Sequence, residues 1–113
     1  MKSENLVLGR IGETEAKEYL ESLGYKILER NYKNKIGEID IIARDGDALV
    51  FVEVKTRSSN GFGYGREAVD FKKQNKIRIT ATVYLKYKRL LDTKVRFDVI
   101  EINQKLEHYK NAF

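Results

Sequence analysis

Four charged residues on two neighbouring segments have the types and the spacing that suit metal-dependent chemistry. Glu38 and Asp40 stand two residues apart, and Glu53 and Lys55 repeat that spacing at the end of the apolar run LVFVEVK. Residues two apart lie on the same face of a β-strand. An Asp-Gly dipeptide between the segments favours a tight turn, so we expect the two strands to pair as a hairpin. The four side chains can then converge on one patch.

Carboxylates gathered at one point repel each other and are costly to bury unless a cation neutralises them. The chain has no cysteine and a single histidine, so the available ligands are oxygens, which favour Mg²⁺ or Mn²⁺ over zinc. A lysine beside such a metal can orient or deprotonate a water and can offset charge on a phosphate. This combination of groups is typical of metal-assisted phosphodiester hydrolysis.

A Glu-x-Lys pair has a simpler interpretation when it stands alone. At the end of a strand it is usually a cross-strand or solvated ion pair with no chemical role. Asp40 and Glu38 on the partner strand, together with the apolar shielding of the run before Glu53, are what favour a metal site over that interpretation.

The surrounding pattern predicts a mixed α/β domain that spans residues 1–113. Apolar residues at helical spacing predict a first helix over 5–23, ended by Gly24. Residues 66–91 fit both a strand and a helix, and their length favours the helix. We therefore expect a central sheet with helices against it. Strands are predicted at 25–32, 36–44, 48–57 and 94–102, and the tail HYKNAF can add a short last segment.

The predicted faces of these elements follow from their periods of 2 and 3.6. The strand over 48–57 is apolar on both faces at its start, so both faces should be covered. The predicted stripe of the first helix consists of Leu8, Ile11, Ala16, Tyr19, Leu20 and Leu23. In the strand over 36–44, one face carries Ile39, Ile41 and Ala43, and the other carries Glu38, Asp40 and Ile42.

Seven stretches together resemble a known family. They are GETEAKEYL (12–20), GYKILERN (24–31), GEIDIIA (37–43), VFVEVKTR (50–57), KQNKI (73–77), RFDV (96–99) and NAF (111–113). The GEID and EVK segments are similar to the PD-(D/E)xK signature of the restriction-endonuclease-like fold, and over nearly its whole length the chain resembles the YraN family of small nuclease-like proteins. The resemblance implies that fold, a central mixed β-sheet flanked by α-helices.

The resemblance also implies roles for individual residues. Asp40 and Glu53 would be ligands of Mg²⁺ or Mn²⁺, helped by the carbonyl of Val54, and Lys55 would be the catalytic lysine. The proline of the signature is absent, because Ile39 precedes Asp40.

Two further positions match the family pattern outside the signature. Glu13 would place an acidic group near the metal from the first helix, although a surface pair with Lys17 at i+4 is the alternative. Gln74, beside Lys73, would support the site from the second helix. Glu38 can ligate, support the site or be solvated.

Basic residues supply the expected contact with nucleic acid. Net charge is +5, which is compatible with a polyanionic partner. The candidate phosphate contacts are Arg57, Lys72, Lys73, Lys76 and Arg78. A solvated basic helix face is the alternative for such clusters. The glycine-rich segment 61–65 does not match a nucleotide-binding loop, and is either a flap that touches substrate or a plain connector.

Three other residues carry structural expectations. Arg96 and Asp98 share a strand face, which predicts an ion pair that holds the last strand against its neighbours. His108 is interpreted as a surface or packing residue without a chemical role.

These observations lead to a functional prediction with two alternatives. We expect a cytoplasmic protein without a membrane segment that hydrolyses DNA, branched or damaged DNA included, and a homodimer is a weaker expectation from the resemblance. The first alternative is a nucleic-acid-binding module of the same fold whose site is weak or silent. The second is a scaffold whose acidic cluster binds metal only for stability.

Overall fold

A computed structural model describes the backbone of residues 2–56 and 69–113 and the side chains of 9–56 and 69–113. The predicted order of elements is confirmed, and the ambiguous segment after the glycine-rich stretch is a helix. The elements are α1 (Lys2–Ser22), β1 (Lys26–Lys33), β2 (Glu38–Asp45), β3 (Ala48–Thr56), α2 (Phe71–Tyr87), β4 (Lys94–Ile102) and β5 (Leu106–Tyr109). The last strand begins two residues before the predicted tail segment.

The five strands form one sheet in the order β1-β2-β3-β4-β5. All neighbours are antiparallel except β3 and β4, which are parallel and have α2 between them in the chain. The predicted hairpin joins β2 to β3, and Asp45 pairs with Ala48 across a two-residue turn in which Gly46 has φ 60°. A mixed sheet with two helices is consistent with the restriction-endonuclease-like fold.

Each face of the sheet has its own apolar core. The core on the α2 side includes Ile42, Phe51 and Ile77, and the core on the α1 side includes Leu20 and Val52. The prediction that β3 is covered on both faces is thus confirmed. The alternation along β3 places Glu53 on the α2 side, where Leu49 and Phe51 also lie.

Two predicted faces are wrong in part. Ile11 is 58% and Leu23 48% exposed, so the buried stripe of α1 is narrower than its sequence pattern. Ile39 lies in the α2-side core, whereas Ile41 lies in the other core. The reason is that β2 pairs with β3 only from Ile41 onwards, so regular alternation is interrupted at Asp40.

The start of α2 is fixed by Asp70, whose side chain accepts a hydrogen bond from the Lys73 backbone N–H at 2.8 Å. The buried residues of the helix recur at spacings of three and four: Ile77, Thr80, Ala81, Tyr84 and Leu85. Burial of this helical face explains why the segment forms a helix and not the alternative strand. Among the described residues, no helix combines the length and the apolarity needed to cross a membrane.

Candidate active site

The strands β2 and β3 separate where their two carboxylates face each other. Their pairing ends at Ile41 and Val52, so the next pair along the strands would be Asp40 and Glu53. There the Val54 N–H donates to Asp40 Oδ2 at 2.8 Å and not to a backbone carbonyl of β2. The Asp40 side chain therefore accepts the hydrogen bond that a backbone carbonyl of β2 would accept in a regular strand pair. The same side chain lies within hydrogen-bonding distance of Glu53.

These two carboxyl groups behave as one coupled pair. Burial, the hydrogen bond with Glu53 and the negative charge of Glu53 raise the pKa of Asp40 to about 9. Burial also opposes ionisation of Glu53, but the hydrogen bond with Asp40 and the nearby Lys73 lower its pKa overall. The pair thus holds one proton between two carboxyl groups at neutral pH, as expected when like charges are forced together.

Two lysines lie beside Glu53, which is only 6% exposed. The Nζ of Lys73 is 2.7 Å and that of Lys55 4.0 Å from Glu53 Oε2. The Lys73 contact is an ion pair whose geometry is not that of a regular hydrogen bond, since the buried Oε2 accepts no such bond within the described part of the chain. Burial and the adjacent Lys73 ammonium lower the pKa of Lys55, whereas contact with Glu53 and Lys55 outweighs burial and raises the pKa of Lys73.

Helix α1 delivers Glu13 to the same end of the sheet. Gly12 is buried, and a Cβ on it would overlap the Thr56 hydroxyl at the end of β3. Burial and the charges of Glu38 and Glu53 raise the pKa of Glu13, although a hydrogen bond with Asn31 opposes the shift. The alternative surface pair with Lys17 is not the observed arrangement, because Lys17 Nζ lies 3.1 Å from Glu21.

The other supporting candidates make their described contacts away from the carboxylate pair. Glu38 is exposed, and its Oε2 lies 3.6 Å from Lys33 Nζ. The Gln74 side-chain amide donates to the Val69 carbonyl at 2.7 Å, which fixes the backbone just before α2. Gln74 thus anchors the segment that carries Lys73.

The side chains of the predicted basic cluster on α2 point to different sides of the helix. Lys73 points to Glu53, and Lys76 lines a groove beside the turn between β1 and β2. The Arg78 guanidinium instead lies 5.5 Å from the ring centre of Phe113 and 6.0 Å from that of Phe97, a cation–π contact away from the carboxylates. Lys72 is exposed. Arg57 and the segment 61–65 lie outside the described residues.

Sequence reasoning missed two features of the site. A glycine inside a helix is unfavourable, so Gly12 directly before Glu13 was an available signal of close packing. The ion pair between Lys73 and Glu53 had no local signal, since it joins residues 20 positions apart on different elements.

The carboxylate pair offers oxygen ligands for only part of the coordination shell of a cation. Among the described residues, no group of three or more His, Cys, Asp or Glu side chains could hold a metal ion. Asp40, Glu53 and the Val54 carbonyl are all oxygen donors, and the buried Glu53 Oε2 lacks a regular hydrogen bond. Two carboxylates suit Mg²⁺, which commonly uses one or two together with waters and substrate phosphates, and not a complete protein cage.

Comparisons with known proteins identify relatives along most of the chain. Residues 12–102 match the uncharacterised protein family UPF0102. A UPF0102 protein of Persephonella marina is 48% identical over 95% of this chain and 93% of its own length. Another from Clostridium beijerinckii is 47% identical over 100% of this chain and 98% of its own. One from Clostridioides difficile is 51% identical, with 93% and 95% covered.

Proposed function

The chain belongs to the uncharacterised protein family UPF0102, the YraN family, and because that name assigns no reaction, we propose from its residues that it is a metal-dependent nuclease. One observation carries the proposal. Asp40 and Glu53 meet where β2 and β3 separate, and the amines of Lys55 and Lys73 lie within 4.0 Å and 2.7 Å of Glu53 Oε2. Two carboxylates and two amines at one edge of a covered sheet suit phosphodiester hydrolysis.

The residues that would hold the cation are Asp40, Glu53 and the carbonyl of Val54. Bound Mg²⁺ or Mn²⁺ would polarise a phosphoryl oxygen and lower the pKa of a water. Asp40 must release its proton to act as a ligand, and the backbone N–H of Val54 holds the carboxylate in position while it does so. Glu13 adds negative charge from α1, which would attract a cation to the pair and which also contributes to the raised pKa of Asp40.

The two lysines are suited to different tasks. Lys55, whose pKa is lowered, is the amine more ready to accept a proton from the attacking water. Lys73, whose pKa is raised, stays charged and can face the phosphate as negative charge develops. Groups of one type whose environments move their pKa values apart are a common basis for assigning the base and the electrostatic partner.

DNA is the proposed substrate, with branched or damaged forms among the candidates. The net charge of +5 and the lysines on the first half of α2 support a polyanionic partner. A homodimer would offer two sites to two strands and belongs to the same proposal.

The test is cleavage of labelled single-stranded, duplex, flapped and four-way-junction DNA and of RNA, with Mg²⁺ or Mn²⁺. Wild type, Asp40→Ala and Lys55→Ala are purified side by side, with Lys94→Ala as the control because Lys94 pairs on the surface with Asp47. We expect metal-dependent cleavage by wild type and Lys94→Ala, reduced at least about 100-fold in the other two. Equal cleavage by all four proteins would identify a contaminant and refute the assignment.

One contact favours a second candidate, a nucleic-acid-binding module without activity. The ammonium of Lys73, 2.7 Å from Glu53, already supplies positive charge at the position where a cation would bind. In that case wild type binds the same panel without cutting it, and Asp40→Ala binds equally well or better, because binding alone does not require a metal ligand at this position.

A further inference from the structure

A groove of about 440 Å³ opens beside the carboxylate pair, between the β1–β2 turn and the first half of α2. Lys33 and Glu38 lie on the wall formed by the turn, and Lys73 and Lys76 lie on the wall formed by the helix. Lys73 belongs to both places, because its amine also reaches Glu53. The groove is therefore continuous with the proposed active site.

The shape of this groove is set by a single side chain. Asn34 Oδ1 accepts hydrogen bonds from the backbone N–H groups of Ile36 at 2.9 Å and Gly37 at 3.2 Å, which fixes the turn. Its Nδ2 donates to the Thr80 carbonyl of α2 at 3.3 Å. The turn also approaches the helix so closely that a Cβ on Gly37 would lie 3.0 Å from Thr80 Oγ1. The two walls are thus held at a defined separation.

The charges in the groove are unbalanced. Three lysines line the groove with one carboxylate, Glu38, whose contact with Lys33 is a long surface pair at 3.6 Å. Because the Lys73 amine is paired with Glu53, the excess positive charge is that of Lys76. No carboxylate of the described residues lies within 4.0 Å of the Lys76 amine, since it forms none of the described ion pairs. An open, positively charged groove attracts anions, and phosphate is the anion that nucleic acid presents at regular intervals.

We infer that this groove is a phosphate subsite for a nucleic-acid strand, next to the bond that is cut, with Lys33 and Lys76 as its ligands. The inference rests on the proposed function for the identity of the strand. Lys33 and Lys76 bind the phosphate from opposite walls of the groove. Lys73 lies between the groove and the carboxylate pair. The phosphate is either an internal diester or a terminal monoester, and both present negatively charged non-bridging oxygens to the lysines.

The test measures binding without cleavage, by fluorescence anisotropy in EDTA at several salt concentrations. The probes are one single-stranded DNA with a free 5′ hydroxyl, the same strand with a 5′ phosphate, and the same strand with a 3′ phosphate. The proteins are wild type, Lys33→Ala, Lys76→Ala and Glu38→Gln. Lys94→Ala is the matched control, because it also removes one exposed lysine, at the far end of β4.

The logarithm of the binding constant falls as the logarithm of the salt concentration rises. Loss of one phosphate contact should make this negative slope shallower by about 0.7–1, as expected for a single strand. We expect Lys33→Ala and Lys76→Ala each to weaken binding about 3- to 10-fold at low salt with that change in slope. Lys94→Ala should leave both quantities as in wild type. Glu38→Gln should bind more tightly, since it removes the only carboxylate of the groove among the described residues.

The three probes locate the phosphate. A loss confined to one terminally phosphorylated strand identifies a terminal monoester and its end, whereas an equal loss on all three identifies an internal diester. If Lys94→Ala weakens binding as much as Lys76→Ala, the lysines act only through net charge and the subsite is refuted. Cleavage by wild type with unchanged binding by both groove variants would refute the subsite and leave the nuclease assignment standing. Failure of wild type both to bind and to cut would refute both.

Discussion

Two buried carboxylate sites on opposite faces of the same sheet contrast in how they are satisfied. On the α1 face, Asp98 is fully buried and accepts four hydrogen bonds. Two come from Arg96 at 2.9 and 3.0 Å, one from the His108 ring at 2.7 Å and one from the backbone N–H of Asn111 at 2.9 Å. On the α2 face, Asp40 accepts one backbone hydrogen bond and otherwise faces another carboxyl group.

The pKa values show the consequence of that difference. Burial alone would raise the pKa of both aspartates, yet that of Asp98 is lowered because His108, Arg96 and Asn111 stabilise its charge. The pKa of Asp40 is raised to about 9. A fully hydrogen-bonded carboxylate stabilises the folded chain. A buried pair of carboxyl groups that share one proton lowers the free energy of unfolding, because each group opposes ionisation of the other. A fold that keeps both is consistent with a structural role for Asp98 and a functional one for Asp40.

Replacing the aspartate by asparagine at each of the two sites should give the largest difference in the free energy of unfolding. Asp98→Asn removes a fully buried charge that the half-buried guanidinium of Arg96 and the His108 ring both face, and we expect a loss of about 3–5 kcal/mol in the free energy of unfolding. Asp40→Asn removes a strained acidic pair and should be neutral or stabilising. Urea denaturation of the two variants and wild type measures both.

A comparable loss of stability in Asp40→Asn would contradict this contrast. An asparagine at this position can still accept the hydrogen bond from the Val54 N–H, so such a loss would mean that the Asp40 carboxyl group itself, through its contact with Glu53, holds β2 and β3 together. The acidic pair would then have an architectural explanation, and the functional proposal would lose its main support.

The two sites also differ in how far the sequence predicts them. The ion pair of Arg96 and Asp98 was predicted from same-face spacing on one strand, and it is confirmed at 2.9 Å. Of the two interpretations of His108, surface residue or packing residue, the second is the right one, because its side chain is only 4% exposed. Its ring nitrogen lies 3.1 Å from the hydroxyl of Tyr19, 89 positions away, and such a contact has no local signature.

The meeting of Asp40 and Glu53 could be predicted because a two-residue turn joins their strands, so that pairing follows from local rules. The separation of the strands at that point could not be predicted, since a side chain replaces a backbone carbonyl as the hydrogen-bond acceptor there. Nor could sequence choose which of many lysines reaches Glu53. That choice depends on how α2 packs across the sheet, through residues such as Ile77.

Metal ions should act on one of the two sites only. Mn²⁺ or Mg²⁺ at about 100 times its Kd should stabilise wild type by about 2.7 kcal/mol, because the ion binds the folded chain. Asp40→Asn lacks a ligand and should show no shift in Tm. Tyr25→Phe, which removes the hydroxyl that accepts a hydrogen bond from Arg96 at 2.6 Å in the Asp98 site, should shift like wild type. Stabilisation retained in Asp40→Asn would place the cation elsewhere and remove Asp40 from the ligand set.

The position of Glu13 beside the acidic pair depends on a close approach of α1 to β3, which glycine substitutions can test. Gly12→Ala would force a Cβ into Thr56, and we expect a loss of about 1–3 kcal/mol in stability together with weaker metal binding, because Glu13 moves with α1. Gly9→Ala is the matched control, since a Cβ there meets no atom of the described residues within 4 Å. It should be neutral or stabilise the helix by up to about 1 kcal/mol.

A rescue variant separates packing from helix propensity. Thr56→Ala removes the hydroxyl that the new Cβ would meet, so the double variant Gly12→Ala/Thr56→Ala should recover part of the lost stability. If Gly12→Ala is as harmless as Gly9→Ala, the helix has room to shift and the position of Glu13 does not depend on this contact.

Acid should reveal the smallest of these effects, at Asp98. Its folded pKa is lowered by His108 and Arg96, so its charge stabilises the fold above the unfolded pKa of about 3.9, and that contribution is lost as pH falls through the folded value. The pKa of Asp45, which also contacts Arg96, is lowered as well, so wild type carries a background slope in the same direction. We therefore expect the stability difference between wild type and Asp98→Asn to be constant between pH 5 and 7 and to shrink below about pH 4, measured by urea denaturation at each pH. A difference that persists unchanged to the lowest pH at which wild type stays folded would show that the hydrogen bonds of Asp98 stabilise the fold without its charge.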